Sequence, residues 1–451
     1  MNNVTNILVE KIYSTQKFED FSSLTKQNLK NGLFDYIMCC HITANYDPNF
    51  KNMLNAQIYF GGDGSVPVIG TGEQAHPYDA CLLNGYSAHA LDLDDVHSEI
   101  RGHPSAVILS LLLTLVDTSK ASERFYEAYL IGIEVMTRIS KLLGKSHYEK
   151  GFHTTATAGL YGAVAAGAYY LAFSKEECSA SIDLCVSQVS GSRSHFGTMI
   201  KPLHAGWAAQ KAWQILHFTT NQIVGSNNTI ANNNGLLSMY GKKDSNPSLL
   251  YDNWGDSWAV DTPGLWFKLY PCCSANAHPI DATKELIEKY AFDIKKIKCI
   301  QLYFPQKGDV ALVYTSPKTG EEGRFSAEYC VALLLLGVEL SIDSFSVKTI
   351  REDVKSLIAK MKRVYDPAIP LAKVSYPKGR YCIVEIVLAD GRTYQARTDI
   401  PIGSPGKPLK LEDLTIKAKN LLNNEFDRYI TLFQQDIVHI ADLISLVVKK
   451  V

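Results

Sequence analysis

The sequence predicts a mainly α protein: a large helical domain, a smaller α+β domain after it, and C-terminal helices able to fold back on the first. Three features carry this. From Met1 to about Trp258 apolar residues recur every three or four positions almost throughout, as in helices that bury one stripe. Lys296 to Phe304, Tyr381 to Leu388 and Thr393 to Arg397 alternate instead, and Asp390-Gly391 marks a tight hairpin between the last two. Helical spacing returns over Leu411 to Leu422 and Phe426 to Lys449. The expected units are therefore 1–264, 265–405 and 406–451.

Within the first unit the stripes run over Phe18 to His41, Pro77 to Leu91, Pro104 to Val116, Glu123 to Leu143, Ala156 to Phe173, Lys175 to Ser190 and Ala205 to Phe218. The stretch from Ala156 to Ala168 is rich in Gly and Ala, which lets neighbours approach closely and predicts a wholly buried central helix. Asn221 to Asn234 and Asp244 to Trp258 are polar connectors. In the second unit, helices are expected at Ala327 to Gly337 and Val347 to Met361.

Composition narrows the function. A chain of 451 residues with 46% hydrophobic and 20% charged residues can bury a large core. Its 45 Lys and Arg against 46 Asp and Glu lack the basic excess of a nucleic-acid binder. The longest apolar runs, Ala106 to Val116 and Leu160 to Phe173, fall short of the ~20 residues of a membrane span. The first residues show no apolar secretory core. Ten cysteines include the pairs Cys39-Cys40 and Cys272-Cys273 but no Cys-x-x-Cys, so a reducing, cytoplasmic setting is expected.

Three motifs imitate known sites. Val66 to Ala75 carries Gly70-x-Gly72-x-x-Ala75, but a dinucleotide fingerprint needs a βαβ unit, and Asp92 follows a helical pattern; a turn into a helix is expected. Asp94-Asp95-Val-His-Ser-Glu99 imitates the magnesium motif of prenyl-diphosphate enzymes, but the second acidic cluster those enzymes need is not found in the sequence; the same acids with His97 and His103 would also suit a divalent metal. Gly235 to Lys242 misses the P-loop spacing by one residue.

A different arrangement recurs. His103-Pro104, His153-Thr154, Lys201-Pro202 and His278-Pro279 each place a cationic or titratable residue just ahead of an apolar helix. A helix N-terminus carries about +0.5 charge, so a cation there costs roughly 0.3–1 kcal/mol and an anion gains as much. A shared pocket in which backbone N–H groups and these cations hold a small polycarboxylate would explain the repetition. The same field should lower the histidine pKa values until a polyanion binds.

At these residues the chain resembles the MmgE/PrpD family. The matching stretches are Asn84 to Asp95, Gly102 to Ala106, His147 to Gly159, Phe196 to Gly206, Lys268 to Cys273 and Arg324 to Tyr329, in family order. The resemblance implies a discontinuous helical domain closed by an α+β lid, in a homodimer with the site in the cleft. It also implies chemistry on di- or tricarboxylates without cofactor or metal. No nucleic acid or membrane partner is expected.

Carried over by position, the family site maps onto Asp92, His103, His153, Lys201 and Lys268. Cys273 stands where the family's decarboxylases carry histidine, and Val96 where they carry threonine. The expected roles are charge stabilisation by Lys201 with Arg193, and acid/base work by His103 with His153 across the substrate. Asp92 would orient them, and Lys268, His204 and Cys273 would hold substrate. A β-hydroxyl acid would be dehydrated, as by a methylcitrate dehydratase. Without the hydroxyl the alternatives are epimerisation of a dicarboxylate, decarboxylation, or silent binding of a polycarboxylate.

Overall fold

The computed structural model describes residues 3–61, 64–242, 245–422 and 426–448. Asp244 and Lys449, bounds of two expected segments, lie outside them. The helices are α1 (Val4–Tyr13), α2 (Ser23–Tyr46), α3 (Pro48–Gly61), α4 (Pro77–His89), α5 (Pro104–Thr114), α6 (Ser122–Glu149), α7 (Thr154–Tyr170), α8 (Lys175–Leu184), α9 (Ile200–Thr220), α10 (Leu236–Tyr240), α11 (Ala277–Lys289), α12 (Gly320–Gly323), α13 (Ala327–Leu335), α14 (Glu352–Ile358), α15 (Leu411–Leu421), α16 (Asp427–Phe433) and α17 (Ile440–Val447). The strands are β1 (Val66–Val68), β2 (Glu73–Ala75), β3 (Val96–His97), β4 (Leu265–Trp266), β5 (Ile297–Tyr303), β6 (Met361–Val364), β7 (Cys382–Leu388) and β8 (Thr393–Thr398). The fold is mainly α with a small sheet domain.

The main hydrophobic core gathers apolar side chains from α1 through Phe267 and again from Leu409 through Val447. A second runs from Cys272 to Ala396. It lies beside a four-stranded sheet of order β6-β5-β7-β8, in which only β5 and β6 are parallel. Helix α11 packs on β7 and β8.

Inside the main core α7 is the central helix, buried at every position from Thr154 to Tyr170, as its small residues predict. Helices α4 and α9 meet backbone to backbone: a Cβ built on Gly85 would lie 2.6 Å from the Gly206 Cα. Only glycine allows that approach, and it sets the last turn of α4 beside the first turn of α9. The C-terminal helices support the loop after α4, since Lys417 of α15 donates to Asp35 at 3.1 Å and to the Leu93 carbonyl at 3.4 Å.

Several expectations need correction. Residues 66–75 form the antiparallel β1-β2 hairpin, without the parallel pairing a dinucleotide site requires. The helix expected over Val347 to Met361 is only α14, and Met361 opens β6. Phe426 to Lys449 is broken between α16 and α17. The helix expected from Phe18 begins at Ser23, capped by Ser22; that from Lys175 ends at Leu184. No helix among the described residues is long and apolar enough to cross a membrane.

Candidate active site

Helix α4 ends at His89, and the chain then turns through Asp92, whose φ of 52° lies in the left-handed region. That turn sends Asp92 and Asp94 back toward the helix end. The loop continues through β3, which pairs with β4 and so delivers Lys268, two residues beyond β4, to Asp92. At Gly102 the loop presses on α7: a Cβ there would lie 2.8 Å from Thr155 Oγ1. Thr155 Oγ1 accepts from the His103 N–H at 3.2 Å, which sets the starts of α5 and α7 side by side.

His103 and His153 are the N-cap residues of α5 and α7, and neither side chain caps its helix. Both rings are free to face the site. Lys201 is the second residue of α9, where the proline after it removes only an N–H that would lack an intrahelical partner. The starts of α5, α7 and α9 therefore meet at the end of α4.

The side chains form one cluster. Lys268 Nζ lies 2.6 Å from Asp92 Oδ1 and Lys201 Nζ 3.4 Å from Asp92 Oδ2. Lys201 also reaches His89 Nε2 at 2.7 Å, and His89 Nδ1 lies 3.0 Å from both Asp94 oxygens. An ammonium can only donate, so His89 carries its proton on Nδ1 and gives it to Asp94. His103 sits 3.5 Å from Asp92 through Nε2 and 3.1 Å from Asp94 through Nδ1. Its ring centroid is 4.1 Å from that of His89, which is 5.9 Å from that of His153. His153 Nδ1 meets His204 Nδ1 at 3.0 Å.

Lys201 and Lys268 are each only 4% exposed, so their charges need partners. Burial alone would push the Asp92 carboxyl up; Lys201 and Lys268 overcome it and hold it well below the usual range. His103 and His89 do the same for Asp94. Burial, followed by the cation Lys201, holds His153 well below its usual value. Burial also lowers His103, against Asp94, and takes His89 to about 3 and His204 to about 4. The histidines are thus neutral, with burial a larger cause than the field of nearby cations. Burial lowers Lys201, while the two aspartates raise Lys268 despite burial. Cys273, half-buried near Asp92, is pushed up to about 11 by desolvation and stays a neutral thiol.

This cluster closes the inner end of a cavity of about 750 Å³ between the helical core and the sheet domain. Asp92, His103, His153, Lys201, Val96 and Cys273 line it. Two buried atoms at that end, Asp92 Oδ2 and His103 Nδ1, lack an aligned hydrogen-bond partner. Each instead faces an ion partner, Lys201 at 3.4 Å and Asp94 at 3.1 Å. His89, Asp92, Asp94 and His103 also have donor atoms within 4.8 Å of one another, the spacing for a cation. Lys268 and Lys201 already sit on Asp92 as its countercharges, which opposes a metal there.

Other sequence candidates lie elsewhere. Lys268 is beneath Asp92 and outside the lining of the large cavity. Arg193 also stays outside; it donates to the carbonyls of Tyr148 at 2.9 Å and Val310 at 2.8 Å, strapping α6 to the sheet domain. His204 is behind His153. His278 bonds the Tyr376 carbonyl at 3.0 Å and does not join the cluster, nor does His97, held by the Ala259 carbonyl at 3.0 Å. His89 was not anticipated, although its spacing of three and five residues from Asp92 and Asp94 was there to be read.

Residues 10–248 match the MmgE/PrpD N-terminal domain, and residues 270–439 the MmgE/PrpD C-terminal domain. The chain belongs to the MmgE/PrpD family. Among curated members it is 26% identical to a cis-aconitate decarboxylase of Homo sapiens over 392 residues, covering 84% of this chain and 78% of that one. To the cis-aconitate decarboxylase of Mus musculus it is 27% identical, covering 88% and 81%. To that of Aspergillus terreus it is 21% identical, covering 95% and 91%. This MmgE/PrpD chain is an enzyme of the lyase type.

Proposed function

We propose that the enzyme is a cofactor-independent lyase that moves a proton at the carbon α to a carboxylate of a di- or tricarboxylic acid. The observation that carries this reading is the buried Lys201–Asp92–Lys268 set at the closed end of a cavity, flanked by neutral histidines. A hydrogen α to a carboxylate is very weakly acidic, so its removal needs fixed positive charge where the intermediate's charge develops. Lys201 supplies it. His103, neutral and wall-facing, takes or returns the proton, and His153, backed by His204, does so from the other side. Asp92, fixed by Lys268, holds Lys201 and His103 in place. His89 accepts from Lys201 and so fixes its direction.

With a β-hydroxyl acid, His103 removes the α-proton and becomes an imidazolium, the C–O bond breaks, and the departing hydroxide takes a proton from His153, which binds one from solvent when the polyanion enters and raises its pKa, to leave as water. That hydro-lyase reading is the first, because Cys273 and Val96 replace the histidine and threonine that the resemblance associates with the decarboxylases. The second reading is favoured by the names of the relatives. With an unsaturated tricarboxylate the C–COO⁻ bond breaks, CO₂ leaves, and the electron pair passes to carbon and takes one proton. In both readings residues 265–405 act as a lid over residues 1–264 and 406–451, in a cytoplasmic homodimer.

Proton NMR in D₂O with cis-aconitate, citrate, 2-methylcitrate and a substituted succinate tests the reading. New alkene signals with loss of water or CO₂ are expected. Deuteration at the α-carbon without elimination would make the enzyme an epimerase. Absence of exchange with every acid, despite bound ligand, would overturn the reading.

A further inference from the structure

The cavity wall carries more positive charge than its negative residues can use. Seven of its lining residues are Lys or Arg and three are Asp or Glu. Lys141 takes Glu99 at 2.6 Å, Lys307 takes Glu149 at 3.0 Å, and Lys201 shares Asp92. Lys145 and Lys378 are exposed at the rim, where water serves them. Arg101 and Arg380 differ: both are half-buried, and among the described residues neither guanidinium has a hydrogen bond or an ion pair within 4.0 Å, although Glu149 feels Arg101 and Arg380 feels Asp309 from further off.

Their placement is specific. Arg101 lies in the loop between β3 and α5, two residues before His103, and has φ 55°, a left-handed conformation that a non-glycine residue keeps only when its surroundings impose it. Its carbonyl accepts from Thr154 Oγ1 at 2.9 Å, which ties it to the start of α7, and its guanidinium lies 5.6 Å from the Tyr148 ring centroid. Arg380 comes from the sheet domain, on the turn before β7, where its N–H bonds the Pro377 carbonyl at 2.9 Å. Burial opposes the charge of Arg380, and repulsion from Arg101 adds to the cost. Cys273 lines the same cavity as Arg101, Arg380 and Lys201. Two like charges in a half-buried wall, each with free donors, form a receptor for an anion.

We propose that Arg101 and Arg380 are a second anion subsite, a guanidinium clamp that holds the substrate carboxylate remote from the reacting carbon. The clamp rests on the lyase reading above and adds what selects the substrate: an acid must have a second carboxylate far enough along the chain to reach from Lys201 past Cys273. A guanidinium fork meets both oxygens of a carboxylate, which a lysine ammonium cannot do. Because one arginine comes from each side of the cavity, the second carboxylate also draws the sheet domain toward the helical core. Lys268 is unable to serve this end of the substrate, being committed to Asp92.

The test is calorimetric titration of the full-length enzyme with propane-1,2,3-tricarboxylate, a saturated acid without a leaving group, for wild type, Arg101→Gln, Arg380→Gln and Arg380→Lys. Each glutamine variant should bind about 10- to 100-fold more weakly, with lysine recovering only part of the loss. KM for any substrate found by NMR should rise in parallel, and kcat should fall less. Melting curves confirm that the variants fold, and the lysine variant tests the clamp if a glutamine variant does not. Unchanged affinity in the folded variants would overturn the clamp and leave the lyase reading standing. A wild-type enzyme that neither binds this acid nor turns over any of the panel would overturn both.

Discussion

Two clusters of buried charge in this protein both set cations on carboxylates and are finished differently. In the sheet domain Arg363 of β6 donates to Glu328 at 2.7 and 2.8 Å, to Asp309 at 2.9 Å, and to the carbonyls of Leu312 and Tyr314. Tyr365 completes Asp309 at 2.6 Å. None of the side-chain N and O atoms of Arg363, Glu328 or Asp309 is left buried and unpaired. In the cavity cluster Asp92 Oδ2 and His103 Nδ1 have ion contacts without an aligned hydrogen bond, to Lys201 at 3.4 Å and Asp94 at 3.1 Å, and a half-buried arginine pair waits further along the wall. A buried ion set whose valences are closed fixes a chain segment, here the loop 305–314 whose other face lines the cavity. One left open has been shaped for something that arrives later.

The comparison predicts that damage to the closed cluster is read in stability. Arg363→Met strands Glu328 and Asp309 without a cation, and breaking a buried pair in this way typically costs about 3–5 kcal/mol. Urea titration followed by fluorescence should show the loss, while the enzyme that remains folded keeps its turnover number. A variant as stable as wild type but slow would place Arg363 in the chemistry and erase the distinction.

Damage to the open cluster should be read in rate. Lys201→Ala removes the charge proposed to meet the developing negative intermediate, and loss of one such donor costs roughly 10²–10³ in kcat, about 2.7–4 kcal/mol. Stability should change far less than in Arg363→Met, because Lys268 still holds Asp92 and His103 is relieved of a nearby cation and can take a proton in its place. Steady-state kinetics beside melting curves checks both halves. Near-normal turnover would remove Lys201 from the mechanism.

The open cluster was also the more legible of the two from sequence. His103 and His153 announce themselves because a titratable side chain next to a helix start is unfavourable unless something uses it, and both proved to be N-caps whose rings leave their helices uncapped. Helices α4 to α9 were readable from apolar spacing, since each buries a continuous stripe. Strand β6 was not: its four residues have a single exposed lysine among half-buried neighbours and no clear alternation, and only pairing with β5 makes it a strand. Arg101 and Arg380 are 279 positions apart and carry no local signal; the fold alone brings them to one cavity. His89 lay in view, but a histidine at the last turn of a helix reads as a simple dipole partner until Lys201, from α9, arrives at its Nε2.

The finest separation of the two clusters is by pH, because Arg363 stays charged throughout while His103 and Lys201 titrate. His103 must be neutral to accept a proton, and its pKa in the free enzyme is lowered from 6.5, so it remains neutral as pH falls past that value. The acid limb of kcat/KM, which reports the free enzyme, should lie below pH 6.5. Lys201 must keep its proton, and its pKa is lowered from 10.5, so the alkaline limb should appear below pH 10.5. Binding a polyanion favours the charged form of His103, so the acid limb of kcat should move up by about one unit relative to kcat/KM, worth about 1.4 kcal/mol. In Arg380→Gln that displacement should shrink, because less of the ligand charge is held in the cavity. An acid limb above pH 6.5 in kcat/KM would reassign the base to a group outside this cluster.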